Sequence, residues 1–449
     1  MTYVQRVAAK QLTALLVTLF LLASVATFNS PVQAQSEPLM ITNFRYLDTY
    51  SKTMVSAASM IIEDGKIAAI DDPAYSCVGC QTIDLAGGYM VPGLIDLHQH
   101  LGNGGFARQS ANERITLFHN NLYWGITTAF NPSLPKDLLS SLRAAIGKNP
   151  EHYPRLLTAG RTIGPQEGWG DFKTATVGGL KAAINAQLNS GAAVIKLSYD
   201  DKAWLSGEPL PVFSEGALAT AIDYAHKRER RVFVHTTQVS MAKKAILAGA
   251  DGIITGLISG KMDTDFVNLM KNRRIVYIAT LSAFAAIADN AASAKRQLAF
   301  DPSRVNKSGL YQSLGSPIMK QNWLDWWPYS TAVPAKLATL ADNTKKLINA
   351  GVTVGMGTDA GTPGVIFGAS MLDEMQRHVD IGLSPLDAVV MATRTNARIL
   401  YLNQITGTIE VGKAADLVLM SGDPSKSIDA FKTIKYTVRG GRLFDRRDF

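Results

Sequence analysis

Apolar and polar positions alternate at both ends of the chain in runs that predict short strands. These runs are Met40–Phe44, Ser59–Ile62, Ile67–Ile70, Asp416–Met420 and Ile434–Val438. Turn residues at Glu63–Lys66 join the second and third runs, which predicts a hairpin over residues 59–70. Together the two ends predict a small β-sandwich domain formed by residues 35–92 and 405–449.

In the middle of the chain, short apolar runs alternate with helical stretches. The predicted strands are Leu94–Leu97, Ile126–Phe130, Arg155–Ala159, Ala193–Leu197, Val232–Val234, Gly252–Ile254, Ile275–Ala279 and Thr353–Met356. Helical patterns cover Thr174–Asn189, Glu215–Arg228 and Val239–Leu247. Because each strand is followed by sequence of crossover length, the pattern favours a (β/α)8 barrel of the TIM type over 93–404 rather than a doubly wound sheet. No glycine-rich phosphate loop follows the first strand, which argues against nucleotide binding.

One connection in the predicted barrel is much longer than the others. It runs from residue 281 to residue 336 and contains Trp323, Trp326, Trp327 and Tyr329. A long insertion on the carboxyl side of a barrel strand is commonly a substrate loop, so these aromatic residues are candidates for an apolar pocket wall. Packing of the insertion against the barrel would explain them equally well.

Residues 1–34 have the pattern of a secretory signal peptide. Arg6 and Lys10 precede an uncharged apolar run over 12–28, and small residues allow cleavage after Ala34. A membrane anchor is the alternative, although the run is shorter than the roughly 20 residues that span a bilayer. We therefore expect a periplasmic or secreted protein without a stable membrane span after cleavage.

Composition agrees with a large globular chain and narrows the expected partners. Of the 449 residues, 47% are hydrophobic and 18% are charged, which excludes a disordered or low-complexity protein. The formal charge is +8, but Arg6 and Lys10 belong to the signal and no run rich in Lys and Arg is present. We expect a small-molecule substrate and no nucleic-acid partner, and a homo-oligomer is compatible with the sequence.

The two cysteines, Cys77 and Cys80, lie close together in a loop. In an oxidising compartment such a pair forms a small-loop disulfide, which is the expectation here. A redox role would need the pair between a strand and a helix, and a zinc site would need two further soft ligands. Both alternatives have less support from the sequence.

The strongest chemical signal is a His-x-His pair, His98 and His100, that follows an apolar strand. Because alternate residues of a strand face the same side, both imidazoles can reach one metal ion at the end where barrel active sites form. Lys196, His235 and Asp359 stand at the same end of other apolar strands. Each alone has an ordinary explanation as a snorkelling lysine, a core histidine or a turn-capping aspartate, but in a barrel all of them converge.

These residues resemble the ligand set of the metal-dependent amidohydrolase superfamily, in its imidazolonepropionase and prolidase-like branch. Gly407–Val418 (GTIEVGKAADLV) is similar to that family's GTIEPGKxADLV signature. Ala392-Thr393 with Asn396–Arg398 is similar to its ATxNPAR motif. The resemblance extends over essentially the whole chain after the signal.

The resemblance implies a role for each candidate residue. His98, His100 and Asp359 would bind the more buried divalent metal, such as Zn²⁺, and His235 would bind a second ion. Lys196 would carry a CO₂-derived carbamate that bridges the two. Asp359 would also be catalytic, because it would take a proton from the attacking water and pass it to the leaving nitrogen. The ion would lower the pKa of that water from ~15.7 towards ~7 and polarise the substrate carbonyl.

One position departs from the family pattern. Where the family has a histidine at the end of strand six, this sequence has Thr255, and a hydroxyl is a much poorer ligand than an imidazole. Three interpretations follow: an enzyme with one metal, an enzyme with a weak second site, or a degenerate protein that keeps the fold for binding. The complete first ligand set favours the enzyme with one metal.

The loops after strands three and four supply further candidates for substrate contact, namely Arg161, Trp169 and Tyr199. The sequence as a whole predicts an exported hydrolase that cleaves an amide or cyclic amide, including the amide of an N-acyl amino acid or a dipeptide. A non-catalytic binding protein on the same fold and a metal-dependent esterase are the competing hypotheses, since fold resemblance does not identify a substrate.

Overall fold

The computed structural model describes residues 37–102, 110–301 and 331–449, and Pro38–Phe449 form one compact unit. The predicted signal peptide and the insertion aromatics Trp323, Trp326, Trp327 and Tyr329 lie outside the described residues. The signal, the role of these aromatics and the domain boundaries therefore stay predictions.

The strands of the described residues form three sheets. In chain order they are β1 (Leu39–Asp48), β2 (Thr53–Glu63), β3 (Lys66–Ile70), β4 (Gln81–Pro92), β5 (Leu94–Asp96), β6 (Ile126–Asn131), β7 (Arg155–Thr158), β8 (Ile163–Pro165), β9 (Phe172–Thr174), β10 (Ile195–Ser198), β11 (Val232–His235), β12 (Gly252–Ile254), β13 (Val276–Ala279), β14 (Thr353–Met356), β15 (Leu417–Met420), β16 (Ile434–Arg439) and β17 (Arg442–Asp445).

One seven-stranded sheet joins both ends of the chain, in the order β17-β16-β15-β4-β1-β2-β3. Strands β1 and β2 pair antiparallel, and the predicted hairpin continues from β2 into β3. Strand β15 pairs antiparallel with β4, so that a strand near the carboxyl terminus adds directly to the strands near the beginning. This sheet confirms the predicted β-domain built from both chain ends.

Eight parallel strands, β5 to β7 and β10 to β14, form the barrel. Two backbone hydrogen bonds connect its two sheets. The N–H of Ala193 donates to the carbonyl of Thr158 at 2.8 Å, and the N–H of Leu97 donates to the carbonyl of Met356 at 3.1 Å. The bonds link β7 to the start of β10 and β5 to β14, which confirms the predicted TIM-type barrel.

Helices connect the barrel strands. In chain order they are α1 (Ala111–His119), α2 (Lys136–Lys148), α3 (Val177–Asn189), α4 (Ala203–Ser206), α5 (Glu215–His226), α6 (Val239–Leu247), α7 (Thr264–Asn272), α8 (Leu281–Ala288), α9 (Asn290–Leu298), α10 (Leu337–Asn349), α11 (Ala369–Asp380), α12 (Pro385–Val390) and α13 (Asn396–Ile399). Four of them begin after an N-cap residue whose side chain accepts a backbone N–H near the helix start, namely Ser110, Thr176, Ser214 and Asp263. Across the described part of the chain, no helix has the length and apolar character needed to cross a membrane.

Most barrel strands are buried on both faces because they lie between the barrel interior and the helices, whereas β7 is only partly buried. Every residue of β10, β11, β12 and β13 is buried, as is usual for parallel strands. The terminal sheet shares a core with the barrel, in which Val91 and Val418 pack in one cluster with Leu94 and Met356. The sheet thus supports β5, the strand that precedes the histidine pair.

The eight predicted barrel strands are all present, with small shifts at their ends. The helix predicted from Thr174 begins instead at Val177, because Thr174 closes β9 and Thr176 is the N-cap. Strands β8 and β9 were not predicted, since each has three residues and too little pattern to recognise. The described part of the long insertion contains α8 and α9. The structure pairs Cys77 with Cys80 in a disulfide, with Cα atoms 5.7 Å apart.

Candidate metal centre

His98 and His100 lie just past the end of β5 and turn their Nε2 atoms toward each other, 2.9 Å apart. The Oδ1 atom of Asp359, three residues past β14, is 3.4 Å from Nε2 of His98 and 3.1 Å from Nε2 of His100. Both histidines are buried, and Asp359 is partly buried. In the described ranges these three side chains form the one cluster of His, Cys, Asp or Glu residues with ligand atoms close enough to share a metal ion.

Asp96, the last residue of β5, holds the loops of β5 and β14 together. Its carboxylate accepts the N–H of His98 at 3.0 Å and the hydroxyl of Thr358 at 2.7 Å. Burial raises the pKa of Asp96 to about 6, although these hydrogen bonds oppose the shift. Asp96 therefore fixes the backbone next to two of the three cluster residues.

The backbone around Asp359 is shaped to bring its carboxylate to the histidines. Asp359 has φ 59°, in the left-handed region, and its N–H donates to the carbonyl of His98 at 2.8 Å. A Cβ on Gly357 would lie 2.6 Å from Cβ of His98, so the close approach of the two loops requires glycine there. Desolvation raises the pKa of Asp359, but His98, His100 and Lys196 lower it well below its usual range, so it is ionised at neutral pH.

Lys196 on β10 is buried next to the cluster, with Nζ 3.3 Å from Nε2 of His98. Burial lowers the pKa of Lys196 to about 8, and the nearby Asp359 carboxylate offsets part of that shift. Near neutral pH, the neutral amine form of Lys196 is therefore more populated than that of a lysine in water.

His235, at the end of β11, faces the same pocket but has different neighbours. Its Nδ1 lies 2.9 Å from the hydroxyl of Thr255, and its Nε2 lies 3.5 Å from Oδ2 of Asp200. Asp200 also accepts the N–H and the hydroxyl of Thr237, at 2.9 and 2.7 Å. Burial raises the pKa of Asp200, but His235 and Lys202 among its partners bring it down to about 2. Thr255 thus occupies the position expected from the sequence and holds the imidazole of His235.

A cavity of about 400 Å³ contains all five predicted ligand residues, together with Thr255 and Trp169. The Trp169 ring stacks on His235, with centroids 5.9 Å apart and planes 22° apart. The buried Lys202 also contacts Trp169, and its Nζ lies 3.0 Å from the ring centroid. Trp169 therefore forms a wall of the pocket, and its contact with substrate stays a prediction.

The structure does not bring Arg161 or Tyr199 into this pocket. The Arg161 guanidinium donates to the carbonyl of Asp171 and lies over the Phe172 ring, 5.6 Å from its centroid. Tyr199 is 2% exposed and packs in the apolar core beside Ile163 and Phe213. Both follow barrel strands in the sequence, but neither lines the cavity next to the cluster.

The residues present fit a divalent metal of the zinc type. Two imidazole nitrogens and a carboxylate oxygen are a common donor set for catalytic zinc, which leaves further positions open. Burial lowers the pKa of His98 well below its ordinary value, so its imidazole is in the neutral form that ligates metals. The donor set therefore fits such an ion, and His98 is in the protonation state that such an ion requires.

The sequence agrees with this site when it is compared with known proteins. The profile of the Amidohydrolase family matches residues 89–444, which include the histidine pair, every barrel strand and most of the carboxyl-terminal strands. The chain belongs to the amidohydrolase family. The match confirms the resemblance inferred from the histidine pair and the carboxyl-terminal signature.

Among the similar proteins is an uncharacterized protein of Mycobacterium tuberculosis, which is 29% identical over 245 residues, or 53% of this chain and 61% of that protein. An enamidase of Eubacterium barkeri is 25% identical over 45% of this chain and 50% of its own length. The chain therefore spans between half and two thirds of the length of these relatives. A Xaa-Pro dipeptidase structure matches with a TM-score of 0.74 and 22% identity over 91% of this chain and all of the other, which shows a shared fold.

Sequence reasoning missed the residues that hold the candidate ligands in place. Asp96, Asp200 and Thr358 lie within one or two residues of the carboxyl ends of β5, β10 and β14, as the ligands do. Their position at the strand ends could have identified them in the sequence. However, short polar residues are also common in loops for purely local reasons. Nothing in the sequence marks Lys202, which contacts Trp169, because its position depends on a left-handed backbone conformation with φ 52°.

Proposed function

We propose that this chain is an exported, metal-dependent amidohydrolase that uses one metal ion and cleaves an amide-type C–N bond. The observation that carries the proposal is the convergence of His98, His100 and Asp359 at the carboxyl end of the barrel, inside a cavity of about 400 Å³. The names of two similar proteins, an enamidase and a Xaa-Pro dipeptidase, support an amide-type substrate. Export rests on the pattern of residues 1–34 alone.

In this proposal each side chain has a distinct task. A divalent ion bound by His98, His100 and Asp359 would supply a Lewis acid for the carbonyl and lower the pKa of a water to about 7. Asp359 is ionised and its side chain is partly exposed to the cavity, so its carboxylate can accept the proton of the attacking water. The same proton then passes to the leaving nitrogen as the C–N bond breaks.

Lys196 is the candidate for a carbamate. Its neutral amine, favoured by burial, can form an N–C bond to CO₂ and release one proton. The carbamate would carry a negative charge, whereas an ammonium would repel a cation. The Nζ atom that would bear the carbamate lies 3.3 Å from Nε2 of His98. Lys196 would then join the ligand set as an oxygen donor.

Thr255 favours one metal ion rather than two. The second ion would need His235, whose two ring nitrogens lie against the Thr255 hydroxyl and the Asp200 carboxylate. A neutral hydroxyl replaces the imidazole that would complete a second site, and it is a poor ligand for zinc-like ions.

The test is hydrolysis of a panel of N-acyl amino acids, dipeptides and lactams, with matched esters, by the full chain loaded with Zn²⁺. We expect turnover of at least one amide class and a loss of roughly 10² to 10⁴ in kcat for Asp359→Asn. Asp223→Asn is the matched control, because Asp223 is an exposed residue of α5 that pairs with Lys227. Turnover of esters alone would favour an esterase, and metal binding without any turnover would favour the binding protein.

A further inference from the structure

A second cavity, of about 950 Å³, opens at the end of the barrel opposite to the metal centre. Its lining includes residues that immediately precede barrel strands, namely Arg231 before β11, Asp251 before β12 and Ile275 before β13. The metal centre is built at the carboxyl ends of these strands, so the two cavities are separated by the length of the barrel. Neither the family assignment nor the proposed hydrolysis uses this second cavity.

Positive charge dominates the lining of this cavity. Six cationic side chains contribute to it: Lys52, Arg231, Arg273, Arg274, Arg394 and Arg398. The acidic residues of the lining are Asp251 and Asp387. Asp387 is held by Lys52 at 2.6 Å, and Asp251 accepts His226 at 2.8 Å and the N–H of Val232 at 2.7 Å.

None of the five arginines forms an ion pair with an acid in the described ranges 37–102, 110–301 and 331–449. Two of them are positioned by aromatic rings instead. The Arg231 guanidinium lies 3.8 Å from the Tyr401 ring centroid and donates to the carbonyl of Ile399 at 2.6 Å, and that of Arg394 lies 4.7 Å from the Tyr50 ring centroid. These contacts orient the guanidinium groups without an ion pair, although Asp251 and Asp48 act on the charges of Arg231 and Arg394 from a longer distance.

Helix ends explain only part of this cluster. Arg273 and Arg274 follow the last residue of α7, where a cation stabilises the exposed carbonyl groups of the helix. Arg231 comes instead from the start of a barrel strand, and Arg394 and Arg398 come from the helical segment near residues 391–399. Guanidinium groups from three separate parts of the chain therefore meet at one concave surface.

We propose that this cavity binds a multiply charged, phosphate-type anion. A planar guanidinium offers two parallel N–H groups that match two oxygens of a phosphate, and several of them together favour a ligand with more than one phosphate group. The free ligand can be an inorganic polyphosphate or the phosphate chain of an ester. Tyr401, 70% exposed at the same cavity, offers a flat ring on which an aromatic group of such an ester can stack.

The test is calorimetric titration of the full chain with inorganic tripolyphosphate and, in a second arm, with a nucleoside triphosphate, at about 50 mM salt so that screening stays weak. We expect saturable binding, and a Kd at least about tenfold higher for Arg273→Ala/Arg398→Ala. Stronger binding of the nucleoside triphosphate that is lost in Tyr401→Ala would identify an aromatic ester, whereas equal affinities would identify the phosphate chain alone as the ligand.

Arg143→Ala/Arg447→Ala is the control, because it removes the same charge from residues that do not line the cavity. Absence of saturable binding by the unaltered chain, or an equal loss in both double variants, would overturn the proposal. If Arg273→Ala/Arg398→Ala does not fold by circular dichroism, Arg273→Gln/Arg398→Gln replaces it, with the same expected loss. Hydrolysis at the metal centre is not part of either readout.

Discussion

Glu374 of α11 is a buried acid that supports the candidate metal centre through one intermediate residue. Its carboxylate accepts the N–H groups of Leu281 and Ser282, at 3.0 and 2.7 Å. The Ser282 hydroxyl donates to the carbonyl of Thr358 at 3.2 Å, directly before Asp359. Burial raises the pKa of Glu374 to about 8, although the two backbone hydrogen bonds oppose this.

The raised pKa predicts how stability depends on pH. The folded protein keeps the proton of Glu374 at pH values where the unfolded chain loses it, so its contribution is complete below pH ~4.5 and is lost as pH rises toward 8. Glu374→Gln cannot ionise. We therefore expect the Tm of the unaltered protein, relative to that of Glu374→Gln, to fall between pH 5 and pH 8 in thermal unfolding. Glu215→Gln, which changes an exposed acid paired with Lys244, should give parallel curves. Parallel curves for Glu374→Gln as well would contradict the assignment.

At the residue scale, the positions of the candidate ligands could be predicted because position in the sequence determines position in a barrel. His98, His235 and Asp359 each end or follow an apolar strand, and the structure brings them to one pocket with Lys196, which lies inside β10. Tyr199 satisfied the same rule but packs into the core, since successive residues of a strand alternate between the two faces. Residue position thus predicted the end of the barrel, but not always the direction of the side chain.

At the scale of elements, the site depends on the close approach of β5 and β14. Gly357 lies at that contact, where a Cβ would be 2.6 Å from Cβ and 2.9 Å from the backbone nitrogen of His98. Gly357→Ala should therefore separate the two loops and cost about 1–3 kcal/mol in the free energy of unfolding. Urea unfolding measures this, and zinc titration should show weaker binding, because His98 and Asp359 move apart.

Gly147→Ala is the matched control for Gly357→Ala. Nothing lies within 4 Å of a Cβ at position 147, which is inside α2. In a helix, alanine is favoured over glycine by roughly 0.5–1 kcal/mol, so this variant should be slightly more stable and bind zinc normally. If Gly357→Ala behaves like Gly147→Ala, the loops are not as tightly packed as the structure indicates.

The elements that the sequence did not predict are those that depend on tertiary contacts. Strands β8 and β9 have three residues each, and their pairing from Ile163 opposite Phe172 to Pro165 opposite Thr174 leaves no periodic pattern. Nevertheless, they flank the segment that contains Trp169, which lines the pocket. Longer elements such as α6, predicted and observed from Val239 to Leu247, have enough residues to show their period.

At the scale of the whole molecule, a buried charge cluster connects the terminal sheet to the barrel. Asp416, directly before β15, lies 3.0 Å from Arg155 of β7 and 3.4 Å from Arg439 of β16. Burial raises the pKa of Asp416, but the two arginines hold it below its usual range. Asp416→Asn leaves two largely buried guanidinium groups without a carboxylate and should cost roughly 3–5 kcal/mol in urea unfolding.

Asp445→Asn tests whether burial is the cause of that loss. Asp445 pairs with Arg447, whose side chain is 85% exposed, and such surface pairs contribute about 0–1 kcal/mol. A loss of similar size in the two variants would show that the Asp416 cluster does not connect the sheet and the barrel as described.

The sequence predicted the architecture of the whole molecule better than its surfaces. The barrel and the sheet follow from hydrophobic patterns, each of which is visible within one short segment of sequence. The arginine-lined cavity is not visible in this way, because Arg231, Arg273 and Arg398 are far apart in the chain and meet only when the barrel closes. A formal charge of +8 without basic runs gave no indication of it.

The most direct test of the central claim is the zinc stoichiometry of the purified chain after reconstitution, measured by elemental analysis. The structure predicts one ion per chain, a content far below one for His98→Ala/His100→Ala with the fold retained, and a second ion for Thr255→His. Thr255 already has φ 101°, which is strained for a β-branched residue, so histidine adds no backbone cost there. A wild-type chain without bound zinc, or the same content in His98→Ala/His100→Ala, would contradict the metal centre.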